Sequence, residues 1–170
     1  ILDSTDIAKV HVSSWQSTYR GQVPDEYLAQ LSVPERARGW EEGFAQEGNR
    51  VLVAEEGHRI VGFTSFGSSR ESGVSQGITG EIYTIYLEAE VQGRGIGRKL
   101  WEAACADLQN QGFSEGIVWV LNTNHLAIEF YKRMGAGFDG GRKSFSIGGR
   151  EVVEERYLFT FAVSTSGDVR

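Results

Sequence analysis

Gln92-Gly93-Arg94-Gly95-Ile96-Gly97 joins a β-rich run, Glu81 to Leu87, to an amphipathic run that reaches about Gln111. A strand that feeds a glycine-rich turn and then a helix makes an anion cradle. The first N–H groups of a helix have no intrahelical partner, and the aligned peptide dipoles add roughly half a positive charge there. Glycines at 93, 95 and 97 remove Cβ obstruction and permit the positive φ values that aim several N–H groups at one point. Arg94, Arg98 and Lys99 bring countercharge suited to a pyrophosphate. An ordinary strand-to-helix turn is the competing reading of the same six residues.

Spacing separates the kinds of phosphate loop. A dinucleotide fingerprint needs Gly-x-Gly-x-x-Gly, but its third glycine would fall at Arg98 or at Leu100. A Walker-type loop ends in Gly-Lys-Ser/Thr, which does not occur here. A second segment lies downstream: Asn124-His125-Leu126-Ala127-Ile128-Glu129-Phe130-Tyr131, then Gly135 and Gly137-Phe138. Gln92-x-x-Gly95-x-Gly97 together with Asn124-x-x-Ala127-x-x-Phe130-Tyr131 resembles the GNAT acyltransferase superfamily, over roughly residues 80 to 138. One departure is that Ala136-Gly137 stands between Gly135 and Phe138, so the Gly-Phe pair arrives late.

The resemblance implies an α/β (α+β) fold in a single domain, residues 1–170. It has a mixed, mostly antiparallel central sheet with helices on both faces. It also implies that the strands at 81–87 and 116–121 splay apart to hold acyl-CoA, with acetyl-CoA as cosubstrate. Gln92, Gly93, Arg94, Gly95, Ile96, Gly97 and Arg98 would then cradle the pyrophosphate, and Leu87 would pair its backbone with the pantetheine arm. Asn124 would hydrogen-bond that arm, with plain helix capping as the rival role.

Acetyl transfer to an amine sets three chemical tasks. An alkylammonium of pKa about 10.4 is free amine in only about one part in a thousand at neutral pH, so a base must take its proton. Glu81 stands eleven residues before Gln92, a spacing that resembles the one in the superfamily's histone acetyltransferases. A surface glutamate at a strand start is the equal alternative. Negative charge then develops on the thioester oxygen and needs a preorganised donor, which the resemblance places at the Ile85 backbone N–H. The departing thiolate needs a proton, and the resemblance assigns that to Tyr131, with core packing as the other reading and Phe130 left to packing. Trp15, Tyr19 and Trp40 lie in the segment that would form the acceptor pocket, although single aromatic residues at helical spacing are more often core. His11 is within reach of the same cleft, but nothing in the sequence requires it.

Composition bounds the class. A chain of 170 residues buries about 70% of its unfolded surface, enough for one core. Net charge −6 argues against nucleic acid as main partner and is compatible with cationic substrates. No run of about 18 apolar residues spans a membrane. Ile1-Leu2-Asp3-Ser4-Thr5-Asp6 lacks signal-peptide character, and Cys105 cannot make an internal disulfide, so a cytoplasmic setting is expected. Three scattered histidines and one cysteine form no metal set. The chain therefore reads as an N-acetyltransferase with an amine acceptor, and a homodimer stays open. A non-catalytic acyl-CoA binding or sensing domain is the alternative.

The positioning elements follow from periodicity. Ala8, Val12, Trp15 and Tyr19 predict a helix over 6–19, and Ser32-Val33-Pro34-Glu35 is a capping box ahead of the Val33, Ala37, Trp40, Phe44 stripe. Arg50–Glu55 and Arg59–Phe66 predict a hairpin with His58 at its tip. Residues 67–80 predict a polar loop, whose Gly73-Val74-Ser75-Gln76-Gly77 matches a hydrolase elbow in letters but lacks the strand before it. Ile96, Leu100, Ala104 and Leu108 form the buried stripe of the helix after the glycine loop, ended by Gly112. A strand over 116–121 and a helix over 126–134 follow. Lys143–Ile147 and Arg150–Phe161 then flank a Gly148-Gly149 turn, ahead of a polar tail, Val163 to Arg170.

Overall fold

The computed structural model describes residues 4–71 and 79–161. Residues 1–3, residues 72–78 of the expected 67–80 loop with its serine motif, and the tail from Val163 lie outside the described residues, while both ends of that expected loop are strand. Helix α1 (Ser4–Thr18) buries Ile7, Ala8, Val10 and Val12. Ser32 caps α3 (Val33–Phe44), its side chain accepting from the Glu35 N–H, as the capping box requires. Between them stands α2 (Asp25–Ala29), which the sequence reading lacks. Five residues are too few to show a period, and the only local signs are Pro24 with Asp25 and Glu26 in the first turn.

The strands are β1 (Arg50–Glu56), β2 (Arg59–Ser68), β3 (Thr79–Leu87), β4 (Glu115–Leu121), β5 (Gly137–Ile147) and β6 (Arg150–Thr160). Among the described residues they form one sheet in the order β1-β2-β3-β4-β6-β5. Every neighbouring pair is antiparallel except β3 with β4. Gly148 and Gly149, at φ 56° and 82°, close the β5–β6 hairpin in the doubly left-handed turn that only glycine enters without strain.

Helix α4 (Ile96–Asn110) buries Gly97, Leu100, Trp101, Ala104 and Leu108, so the apolar stripe shifts one residue from the expected Ile96. With α5 (His125–Arg133) it covers one sheet face, where Phe66, Ile82, Val118, Val120, Tyr157 and Phe159 join the core. Cys105 packs at the edge of that core. Burial, then the charge of Glu102, pushes its thiol up to about 12, which keeps it protonated and inert. The opposite face carries α1, with Ile7 and Val10 against Ile60 and Phe63. No helix among the described residues is long and apolar enough to cross a membrane.

Two irregularities make the sheet functional. Pairing between β2 and β3 runs Ser65 to Thr84 and then Phe66 to Ile82, so Tyr83 is an extra residue on β3. That bulge resets the alternation of faces. Ile82 and Ile85, three apart, therefore both face the α4/α5 core, whereas Tyr86 packs on the α1 side. In addition, β3 pairs with β4 only from Thr79–Glu115 to Ile82–Val118, while β4 stays with β6 to its end at Leu121–Glu154. The expected splay is thus present, and it begins at the bulge.

His11 sits inside the aromatic cluster on the α1 face, 5.1 Å from the Tyr86 ring and 5.8 Å from the rings of Trp15 and Trp40. The Trp40 indole N–H donates to His11 Nδ1 at 3.2 Å. Burial, helped by the charge of Arg36, pushes the imidazole from 6.5 down to about 3. A depressed folded-state pKa contributes stability that is present above the unfolded value and is lost as pH falls toward the folded one. Between about pH 6 and 4, this one site tilts unfolding free energy by up to about 1.4 kcal/mol per pH unit. His11→Gln keeps an acceptor for the indole and removes the titration. Urea melts across that range should give a flatter slope for the variant; identical slopes would show that His11 titrates as an ordinary histidine.

Candidate active site

Where β3 and β4 part, a cleft of 460 Å³ opens between the glycine turn, α5 and the end of β6. Beyond Ile82 the edge of β3 facing β4 has no strand partner among the described residues, so alternate backbone groups of residues 83–87 face the opening. Ile85 and Leu87 border it, with Gln92, Gly93, Gly95, Gly97 and Arg98 at one end and Tyr19, Asn124, Tyr131 and Glu154 also in its wall.

The glycine end is built from backbone geometry. Gly93 and Gly95 have φ of 75° and 82°, and Gly95 is the N-cap of α4. The first i to i−4 bond of the helix runs from Lys99 N–H to the Gly95 carbonyl, leaving the preceding N–H groups to the turn. A Cβ at Gly93 or Gly95 meets nothing within 4 Å, so conformation and not space demands glycine there. Gly97 differs. A Cβ at Gly97 would stand 3.3 Å from Leu87 Cδ1 and 3.6 Å from Phe130, so this glycine also lets α4 lie against β3 and α5. Leu87 presses equally on Gly62 of β2, where a Cβ would overlap its side chain. Gln92 ties the turn back by donating from Nε2 to the Leu87 carbonyl at 3.4 Å.

Arg94 and Ile96, read from sequence as part of the cradle, do not border the cleft. The Arg94 guanidinium turns toward the β1–β2 hairpin, donating to both carboxylate oxygens of Glu56 at 2.6 and 3.3 Å. Arg98 is the side-chain cation that the turn itself offers the cleft.

At the inner end the phenols are wired together. The Trp15 indole donates to the Tyr86 oxygen at 3.0 Å. Tyr86, Tyr19 and the Asn124 side chain stand close enough that Tyr86 and Asn124 both perturb the ionisation of Tyr19. Asn124 caps α5 through its Oδ1, which accepts from the Ala127 N–H at 3.2 Å, so both roles foreseen for it are compatible. Burial raises the pKa of Tyr19 and Tyr131, with smaller contributions from neighbouring charge including Glu154, and burial likewise holds Tyr86 well above its usual value. These phenols therefore remain protonated donors at neutral pH.

Glu81, Trp40 and Trp15, read from sequence as site residues, do not border the cleft either. Glu81 lies outside the cleft, in the paired part of β3, only 2% exposed. Its carboxylate is clamped by Arg70, accepting from the backbone N–H at 3.0 Å and from the guanidinium at 2.8 Å. Arg70 is itself stacked 4.0 Å above the Tyr83 ring. Trp40 also lies away from the cleft, its ring edge-on to Phe63 of β2 at 5.0 Å and packed beside Phe44, because α3 packs along α1 rather than on the opening. Trp15 stands behind the wall and acts through Tyr86, while Tyr19 forms the wall itself. Among the described residues no cluster suited to a metal ion is present.

The sequence reading missed Glu154, Tyr86, Trp119 and Tyr83 in the wall. Glu154 has a signal in hindsight: it shares a strand face with buried Val152, and an acid in step with a core residue is unusual.

An open strand pair over a glycine-led helix N-terminus, with tyrosines and a carboxylate at its inner end, is the layout of an acyl-transfer enzyme. Residues 12–136 match the model of the Acetyltransferase (GNAT) family, and the chain belongs to that family. It is 40% identical to the uncharacterized N-acetyltransferase YuaI of Bacillus subtilis over 131 residues, covering 76% of this chain and 72% of that one. It is 32% identical to a mycothiol acetyltransferase of Catenulispora acidiphila, over 70% of this chain but only 42% of that longer protein. The fold is that of an N-acetyltransferase from Staphylococcus aureus, with TM-score 0.71, 18% identity and coverage of 95% and 96%. It is likewise that of the PaiA N-acetyltransferase from Thermoplasma acidophilum in complex with coenzyme A, with TM-score 0.64, 20% identity and coverage of 90% and 91%.

The two kinds of glycine should fail differently. Gly97→Val overpacks Leu87 and Phe130 and should cost about 1–3 kcal/mol in urea denaturation. Gly93→Ala has space but strained φ, and should cost about 1–2 kcal/mol without disturbing the packing of α4. A Gly97→Val protein as stable as wild type would show that the helix does not need this close approach.

Proposed function

We propose that this chain transfers an acetyl group from acetyl-CoA to a primary amine of a small molecule or protein, by direct attack within a ternary complex, in the cytoplasm. The observation that carries the reading is one continuous cleft running from the glycine-led start of α4 to the buried phenol of Tyr131. The residues fit the cosubstrate. Open space stands above Gly93 and Gly95, no acid occupies the first turn of α4, and Arg98 lies at the rim. The unpaired edge of β3 supplies peptide groups of the kind that an amide-bearing arm pairs with.

Within that arrangement the Ile85 N–H donates to the thioester oxygen as charge grows on it, and the Leu87 backbone aligns the pantetheine arm. Tyr131 donates a hydrogen bond to the departing sulfur. Its pKa is raised by burial, whereas a thiol lies at about 8.5, so complete proton transfer from the phenol is uphill. Tyr131 therefore stabilises the thiolate as a donor, and the sulfur gains its proton as the new amide nitrogen loses one. Tyr19 and Asn124 hold the inner wall, with Trp15 behind them.

Thiol release from acetyl-CoA across a panel of amines, beside calorimetric titration with CoA, tests this reading. Turnover with at least one amine is expected; tight CoA binding without turnover would make the chain a binding domain instead. Tyr131→Phe keeps the ring and removes the hydroxyl. Turnover should fall about 10-fold to 10³-fold, with CoA affinity and melting temperature close to wild type. A variant that melts early yet turns over normally when cold would make Tyr131 a packing residue.

A further inference from the structure

Amine attack needs a proton acceptor, and Glu154 is the one carboxylate among the described residues that borders the cleft. It projects from β6, in register with Leu121 on β4 and Lys143 on β5, at the far end of the β4–β6 ladder and three residues beyond Val118, where β3 leaves β4. Its charge is felt by both Tyr19 and Tyr131, which line the same cleft. The Lys143 ammonium stands 3.4 Å from Glu154 Oε2 and 4.0 Å above the Trp119 ring. An alkylammonium is therefore already received at this carboxylate, over an aromatic floor that favours cations.

We propose that Glu154 binds the ammonium of the acyl acceptor and takes its proton, with Lys143 as the positioning residue, and that the acceptors are alkylamines protonated at neutral pH. The assignment rests on the acetyl-transfer reading and names its proton acceptor and substrate class.

The step balances without a co-reactant. The alkylammonium gives one proton to the Glu154 carboxylate, and the freed lone pair forms the C–N bond at the thioester carbon. The C–S bond breaks with its electrons going to sulfur, and the second nitrogen proton ends on the thiol. Glu154 then returns its proton to solvent. Burial pushes the Glu154 carboxyl up and Glu81 adds to the rise, while Lys143 and Arg70 pull it down. Tyr19 and Tyr131 are the other titratable groups facing it. Each unit of rise makes the carboxylate a tenfold better match to an amine.

Kinetics of wild type, Glu154→Gln and Lys143→Met, each with an alkylamine and with a weakly basic arylamine that is neutral at pH 7, test the assignment. Glu154→Gln should lower kcat/KM for the alkylamine about 10²-fold at pH 7, recovering as pH rises and free amine accumulates. The arylamine should lose less than about tenfold, because it brings no proton that must leave before attack. CoA affinity by calorimetry should stay within about threefold of wild type, which separates a chemical defect from a folded-state one. In Lys143→Met the loss of a nearby cation raises the carboxyl pKa, so the acidic limb of kcat/KM should move to higher pH. Equal losses on both amines, or wild-type turnover by Glu154→Gln while Glu81→Gln is dead, would overturn the assignment and leave acetyl transfer standing. Wild type that acetylates no amine would sink the transfer reading and this assignment with it.

Discussion

The cleft depends on a failure of strand pairing. A sheet gains from every backbone group that finds a partner, and buried N–H and C=O groups left alone are costly. Yet β3 and β4 stop pairing after Ile82 and Val118, in the middle of the sheet. The insertion of Tyr83 lets this happen, because a bulge bends its strand and increases the local twist. The same residue is held by its hydroxyl, which donates to the Ser68 carbonyl at 2.7 Å, and by Arg70 over its ring. Ile85 and Tyr86 are thereby sent to opposite faces, one to the core beneath α4 and the other to the phenol network.

Charge is arranged around that opening so that its two ends differ. At the helix end, α4 starts with glycine and basic residues and carries no acid in its first turn, so peptide dipole and side chain act together. At the inner end lies a carboxylate ringed by phenols that burial keeps protonated. Arg94 belongs to neither. Its pair with Glu56 is exposed on both sides, and pairs of that kind contribute about 0–1 kcal/mol. The pair fixes where the guanidinium rests and adds little to how firmly the turn is held.

Much of the layout was legible because local physics decides it. The helix stripes, the Ser32 cap, the Gly148-Gly149 hairpin and the glycine turn before α4 follow from periods and caps that survive tertiary packing. The splay came from family resemblance, since no period encodes a strand that abandons its neighbour. What escaped was long range. Glu81 was legible as an acid at a strand start, but its clamp comes from Arg70, across the β2–β3 connection. Glu154 enters the wall only because β6 lies between β4 and β5, an order fixed by pairings across the chain. Trp15 and Trp40 share helical spacing and aromatic character, and only tertiary packing, which sets Trp40 against Phe63 and Trp15 against Tyr86, separates their fates.

The short seam between β3 and β4 also gives the molecule a mechanical grain. On either side of Thr79–Ile82 lies a three-stranded half-sheet, β1-β2-β3 and β4-β6-β5, each paired along nearly its whole length. Loads applied across the seam fall on few ladder bonds and on the core beneath, so rocking of one half against the other is the softest collective motion the sheet allows. An elongated guest seated along residues 83–87 behaves as a strand without a sequence, bracing both halves at once. Amide exchange at the alternate positions of that stretch that face the opening then becomes a gauge of occupancy, slow when the brace is in place and fast when the halves swing apart.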